Sequence, residues 1–508
     1  MSYPNDPWKS QHFTRQSPKI SDFYPTTPLH GVSLTLYPAP QHHTGGSRGM
    51  RIAVTKPLFA WDELDDCPDL GTIRRCLEAI PDAPLLERLR TARGRGRDDY
   101  PVSILWGVAL LTHLLRHPAH EACLGELRRN PALGRLIGVE TQAQIPHHWN
   151  LSRFLDALGH PAHLDALRSA FDRMLTRLGA VVPDLGHRTA GDSTALSARR
   201  GSEARQRQES ALGLPQPAGG RKEYTDETGQ VVRVVEWFGY KLHLLVDVRH
   251  EIVLAYQITA PEVGDNEMIA ALLEQARGNL PPGRIATLAY DKAADDAKVH
   301  HLLSEAGIKP LIEIRALWKG EPERLLPGHT GRTNLVYDEA GTVYCYDKIS
   351  TPMVRHRMAY IGHEPDRGTL KYRCPARHEG WTCPSDAACN QGRNYGLVAR
   401  IKSEMDLRRF PPLPRGTKQF ERLYKGRTAV ERVNGRLKVF WGTDDGNVIG
   451  ARRFHALIGV VMLVHLALAT VLAMSGRREG RTLGGMNLSP IAQALSEQIA
   501  RERSTASE

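Results

Sequence analysis

The sequence predicts an α/β protein with a mixed sheet, preceded by a helical domain and interrupted by a cysteine-containing insertion. Three observations predict it. Apolar residues recur at helical spacing from about residue 51 to 180. From about 185, short apolar strands alternate with helices. Between 316 and 416 the periodicity fades and four of the seven cysteines appear.

Residues 1–50 are polar, with scattered Pro, His, Ser and Gly and no apolar run of a secretory signal. They read as a disordered arm, or Met50 is a truer start. Segments 101–117, 122–139 and 151–160 carry helical periodicity, and Asn150 is a good N-cap for the last. Residues 51–180 read as a helical domain, of a kind that can bind DNA or dimerise, with no local feature to choose between the two. Segments 239–248 and 251–260 form a hairpin pair turned at 249–250. Residues 267–278 form a helix, and 284–291 a buried strand ending in Asp291. A helix follows over 294–307 with Gly307 as its C-cap, then a strand over 309–315. The polar stretch 197–233 reads as a flexible basic loop. A long helix over about 417–440 and an apolar one near 452–474 close the pattern, before a loose tail over 476–508. The α/β domain thus comprises 185–315 and 417–475, split by the insertion at 316–416.

At 508 residues, 41% of them apolar, the chain suffices for two or three globular units. Its net charge of +11, from 67 basic and 56 acidic residues, suits a polyanionic partner or a solvated basic surface. Seven cysteines make no disulfide scaffold, which fits a reducing cytoplasm. Residues 456–474 are long and apolar enough to span a bilayer. His465 at their centre argues for a buried core helix and no membrane partner.

The strongest local signal is 420–440. On a straight helix at about 100° per residue, Tyr424, Arg427, Glu431 and Lys438 share one narrow stripe. Val430, Val433, Leu437 and Phe440 fall opposite, as a buried face. From Arg408 to Lys438 ten Lys or Arg residues stand against only Glu421 and Glu431. Phosphate contacts need such an excess, and a carboxylate kept within it suggests a bound cation. Asp291 leaves a strand end, where side chains reach a site. Asp192 follows a weaker strand signal at Thr189, Ala190 and Gly191. Lys241 and His243 are lesser candidates for phosphate contacts, and Trp441 either stacks on a base or belongs to the core.

Cys345, Cys374, Cys383 and Cys389, with His378 between two of them, form either a zinc-stapled insertion or four reduced thiols. Cys67, Cys76 and Cys123 read as helix-packing residues.

The order of strand (Asp192), hairpin, helix, strand (Asp291), insertion and helix (Glu431) resembles the RNase H-like fold of bacterial insertion-sequence DDE transposases. Tyr424, Arg427, Glu431 and Lys438 match the Tyr-x2-Arg-x3-Glu-x6-Lys signature of one branch. The residues around Asp192, the segment 238–247 and the segment 288–296 are similar to other family motifs. At Ala294, Asp295 and Asp296 the family more often has Gly-Tyr-Asp. The stretch 98–160 looks like the N-terminal domain of such transposases.

The resemblance implies a five-stranded mixed sheet. It also implies two Mg²⁺ ions, for which Mn²⁺ can substitute, held by Asp192, Asp291 and Glu431. Water frees a 3′-hydroxyl at a transposon end, and that hydroxyl attacks target DNA. Arg427, Lys438 and Lys241 grip phosphates, and Tyr424 stacks or hydrogen-bonds beside them. The partners implied are transposon-end and target DNA and a second copy of the chain. The alternatives are a catalytically inactive or domesticated RNase H-like DNA-binding protein, and a junction nuclease without strand transfer.

Overall fold

The structure, a computed structural model, describes residues 68–475, except 96–97, 227–229, 330–331 and 333, together with 482–483. The expected arm at 1–50, most of the tail at 476–508 and Cys67 lie outside the described residues.

Seven helices come first: α1 (Pro68–Glu78), α2 (Ala83–Arg93), α3 (Val102–Leu114), α4 (His120–Arg129), α5 (Pro131–Arg135), α6 (His148–Leu158) and α7 (Pro161–Val181). Almost every residue of α3 is buried, as its nearly all-round apolar sequence requires. Asn150 is not the N-cap of α6. It lies inside the first turn, where its side chain accepts the His147 N–H at 3.2 Å. Cys76 and Cys123 are buried among these helices, as expected.

Next come β1 (Arg188–Ser197), α8 (Glu203–Ala211), β2 (Ala218–Thr225), β3 (Val231–Asp247), β4 (Val253–Thr259), α9 (Asp265–Asn279), β5 (Thr287–Tyr290), α10 (Ala297–Glu305) and β6 (Lys309–Ile312). β1 pairs antiparallel with β3 and parallel with β5, which pairs parallel with β6. β4 pairs antiparallel with β3. These five strands form the expected RNase H-like mixed sheet. The sixth, β2, pairs with the first half of β3.

That strand and α8 occupy the stretch expected to be a flexible loop. Local polarity hid them, because their support comes from distant residues. Glu209 in α8 is buried and accepts the Ala451 N–H at 2.8 Å and the Arg452 N–H at 3.3 Å. It supplies a carboxylate to a helix N-terminus, where free N–H groups and the helix dipole favour one.

The insertion holds β7 (Glu323–Leu325), β8 (Leu335–Asp338), β9 (Val343–Asp347), β10 (Val354–Arg357), β11 (Ala359–Glu364), β12 (Thr369–Arg373), α11 (Pro375–Glu379), α12 (Asp386–Asn390) and β13 (Val398–Lys402). They make two antiparallel sheets, ordered β10-β9-β8-β7 and β11-β12-β13, around a small core of their own.

The chain closes with α13 (Lys418–Tyr424), α14 (Thr428–Trp441) and α15 (Ala451–Met474). α15 packs against α1, α3, α6 and α7 on one side and β4 on another, so one core runs through the helices and the sheet. Its backbone comes so close to α6 that a Cβ on Gly159 would lie 2.0 Å from the Arg452 carbonyl oxygen. It is the one helix among the described residues long and apolar enough to cross a membrane, and 83% of its most apolar window is buried in protein. His465, the polar residue at its centre, accepts the Val253 N–H through Nε2 at 3.2 Å. Full burial pushes its pKa down to about 3, so it stays neutral and able to accept.

Candidate active site

β1 and β5 run parallel and in register, and the recorded pairing ends at Ala190 opposite Ala289. Asp192 and Asp291 each follow by two residues. On neighbouring parallel strands about 4.8 Å apart, that sets two carboxylates side by side. The two residues before them enforce it. Tyr290 is fully buried, and its ring lies against Gly191 so tightly that a Cβ there would meet Cε2 at 2.1 Å.

The carboxylates differ in state. Asp192 is largely buried, and burial, with the nearby charges of Asp291 and Asp265, pushes its pKa up to about 6. The Ser193 N–H and Arg427 oppose that rise. Asp291 caps a 3-10 turn, Lys292–Ala294, by accepting the Ala293 N–H at 2.8 Å.

The expected single helix at 417–440 is two. α13 ends at Tyr424, the 3-10 turn Lys425–Arg427 intervenes, and α14 starts at Thr428. The turn packs against both β1 and β5. It brings Arg427 within electrostatic reach of Glu431, Tyr424, Asp192 and Asp291. Arg427 donates to Glu431 at 2.7 Å, and Glu431, in the first turn of α14, is half exposed. Tyr424 stacks on Phe420 with ring centroids 5.6 Å apart. Burial and the neighbouring Glu313 charge push its hydroxyl up to about 12, so it remains a hydrogen-bond donor.

Lys438 stands apart from this group. It pairs with Asp444 at 3.1 Å, and Asp444 accepts the Ser197 N–H at 2.6 Å, at the far end of β1. Five residues of strand, about 16 Å, separate Ser197 from Asp192. Phe440 is exposed beneath the Arg116 guanidinium rather than buried with Val430, Val433 and Leu437. Trp441 takes the core alternative, edge-on to His465.

Seven of the ten basic residues in 408–438 are paired internally, Arg427 and Lys438 as above and five more. Arg432 and Arg436 pair with Glu251, and Arg409 pairs with Asp406. Arg408 and Arg415 converge on Asp295. That aspartate has no exposed side-chain surface. It accepts from the Arg315 N–H at 2.6 Å, Arg408 Nε at 2.8 Å and His300 Nε2 at 3.1 Å. These partners hold its carboxyl far below the ordinary carboxylate range. The loop that departs from the usual Gly-Tyr-Asp is therefore a buried anchor. It ties the returning end of the insertion to the turn after Asp291.

Sequence reasoning missed Asp265, the first residue of α9. It accepts from Ser193 Oγ and Lys241 Nζ, both at 2.8 Å, beside Asp192. Lys241 also donates to the Val263 carbonyl at 2.9 Å, and so is held beside this carboxylate. His243 is buried and bonded to Thr259 at 2.9 Å, out of reach of DNA. The only sequence signal for Asp265 was its place at a helix start, in Gly264-Asp265-Asn266-Glu267.

Two family models match the chain. The one described as Transposase DDE domain matches residues 189–467, from β1 into α15 and over half of the chain. The chain belongs to the DDE transposase family. A model described as Transposase domain (DUF772) matches residues 63–157, reaching into α6. No curated protein matches the chain. As a DDE transposase it belongs to a family that acts on DNA and uses divalent metal ions. Among the described residues, no three His, Cys, Asp or Glu side chains are grouped to hold a metal ion as they stand. Glu431 pairs with Arg427, and Asp291 caps its own turn.

Proposed function

We propose that this transposase cleaves DNA at terminal inverted repeats and joins the freed 3′-hydroxyl ends to target DNA. Asp192, Asp291 and Glu431 are its metal-holding carboxylates. The observation that supports the reading is the matched position of Asp192 and Asp291 on adjacent parallel strands, with Arg427 within electrostatic reach of both and paired with Glu431. Their donor set fits Mg²⁺, or Mn²⁺ in its stead, because both are hard cations that take oxygen ligands. Asp192 in particular is a buried acid beside another acid, a burden that a cation relieves.

Two divalent ions, if held there by these carboxylates, would supply activation of the attacking oxygen and stabilisation of the leaving one. The chain's own residues do the rest. Arg427 exchanges Glu431 for a DNA phosphate, which frees the carboxylate to face the pair. Tyr424 donates to a phosphate oxygen beside it. Lys438 holds the strand farther out along β1, where it exchanges Asp444 for phosphate. Asp265 and Lys241 keep Ser193, and so Asp192, in place. The Tyr-x2-Arg-x3-Glu-x6-Lys branch supports this division of roles, and two copies of the chain pair two element ends.

The test uses the DNA flanking the gene. Its candidate inverted repeats are incubated with full-length protein and Mg²⁺. Excision with joining is the expected result. DNA binding without cleavage would favour an inactive or domesticated protein.

A structural zinc in the insertion is the second part of the reading. Burial pushes the Cys345 thiol up to about 12, and Cys374, Cys383 and Cys389 add to the rise, so zinc would have to draw together sulfurs that do not stand grouped as ligands here. Asn334 donates to Cys389 Sγ at 3.6 Å and Asn390 to Cys374 Sγ at 3.8 Å, contacts of the kind that support thiolate ligands. Elemental analysis should find zinc in the purified protein and lose it in Cys383→Ser/Cys389→Ser. Zinc-free wild-type protein would end this part of the reading.

A further inference from the structure

The β11-β12-β13 sheet of the insertion has one apolar face and one basic face. Leu370 and Tyr372 of β12 and Ala399 and Ile401 of β13 are buried in the insertion's core. Side chains alternate along a strand, so the residues between them point the other way. Those residues are Lys371, Arg373, Val398, Arg400 and Lys402, with Arg400 and Lys402 exposed and Lys371 and Arg373 partly exposed.

Lys371 lies directly opposite Arg400 in the antiparallel pair of β12 and β13. Like charges facing each other across strands destabilise a sheet, and a solubilising surface has no need of that arrangement. Glu364 reaches Arg400 at 3.1 Å and Glu404 reaches Lys402 at 2.9 Å. Lys371 and Arg373 have no carboxylate partner among the described residues. Both instead attend the exposed ring of Tyr395. The Arg373 guanidinium lies 4.0 Å from its centroid and the Lys371 ammonium 5.5 Å. Arg373 Nε also donates to the Tyr395 carbonyl at 2.6 Å, which anchors the guanidinium beside that ring. A pre-set guanidinium fork beside an ammonium suits phosphate oxygens.

We propose that this face is a DNA-docking surface separate from the acidic site. It takes duplex DNA by its phosphates through Lys371, Arg373 and Arg400, with Tyr395 holding Arg373 in position. The proposal rests on the reading of the protein as one that handles DNA, and it adds a role for the insertion to that reading.

The experiment measures binding of a labelled duplex carrying an element end to full-length protein over a salt series without Mg²⁺. Lys371→Ala/Arg373→Ala should weaken binding by about tenfold at moderate salt and flatten the slope of log K against log salt by about 1.8, or about 0.9 for each contact. The charge-keeping pair Lys371→Arg/Arg373→Lys should hold the wild-type slope. If the alanine pair binds with wild-type affinity and slope, the docking surface is wrong and the catalytic reading stands. If wild-type protein binds no DNA, both are wrong. If the charge-keeping pair loses as much slope as the alanine pair, the effect is structural and the proposal fails.

Discussion

The central sheet and the insertion are both made of strands, but they hold their charged residues by different means. In the sheet, hydrogen-bonded register does the work: β1 and β5 carry Asp192 and Asp291 to the same level, and Tyr290 against Gly191 locks that level. In the insertion and its stem, ion pairs do it. Asp295 collects Arg408 and Arg415, while Glu323 collects Arg355, Asp386 collects Arg377, and Glu364 collects Arg400. The sheet shares a core with eight or more helices, whereas the insertion buries a small cluster of its own.

The comparison breaks first at Asp295. Asp295→Asn leaves the buried Arg415 and the partly buried Arg408 without their carboxylate and should lower stability by about 3–5 kcal/mol, read by denaturant unfolding. Its pH dependence has a definite sign. The folded-state pKa is depressed, so the stabilisation is present above the ordinary carboxylate range and is lost as pH falls through the folded value.

Asp192 should behave in the opposite way. Its folded pKa is raised to about 6, so its burial costs stability as pH rises from the ordinary carboxylate range through that value. In metal-free protein, Asp192→Asn should be more stable than wild type above pH 6, by up to about 3 kcal/mol, and equal to it in acid. A variant destabilised at neutral pH would mean that Asp192 is answered by a cationic side chain, as Asp295 is.

Gly191→Ala drives a methyl into the Tyr290 ring and should cost about 1–3 kcal/mol, seen as a lower Tm. The smallest effect is expected at the stem, where Thr417 caps α13 by accepting the Phe420 N–H at 3.2 Å. Thr417→Ala should cost about 1 kcal/mol.

The same contrast explains what the sequence made legible. The strands at 239–248, 251–260 and 284–291 were readable because burial gave them continuous or alternating apolar runs. The insertion's strands were not. They are three to six residues long, as in Glu323–Leu325 and Ala359–Glu364, and several are half exposed on both faces. α8 and β2 were hidden in polar sequence, because their partners, the start of α15 and the first half of β3, lie far along the chain. At the candidate site, the strand end at Asp291 was legible, whereas the single-helix stripe of Tyr424, Arg427, Glu431 and Lys438 was not kept. The break at Lys425–Arg427, Asp265 behind Asp192 and Asp295 beneath the loop depend on tertiary contacts that no local pattern encodes.

The most direct test is Mg²⁺-dependent cleavage of a terminal-repeat DNA by wild type, Asp192→Asn, Asp291→Asn and Glu431→Gln, each shown to be folded and to bind DNA. If these carboxylates act together as the metal-holding set, each single change should lower the cleavage rate by about a thousandfold or more. Cleavage by any one of the three within about tenfold of wild type would contradict that residue's place in the site.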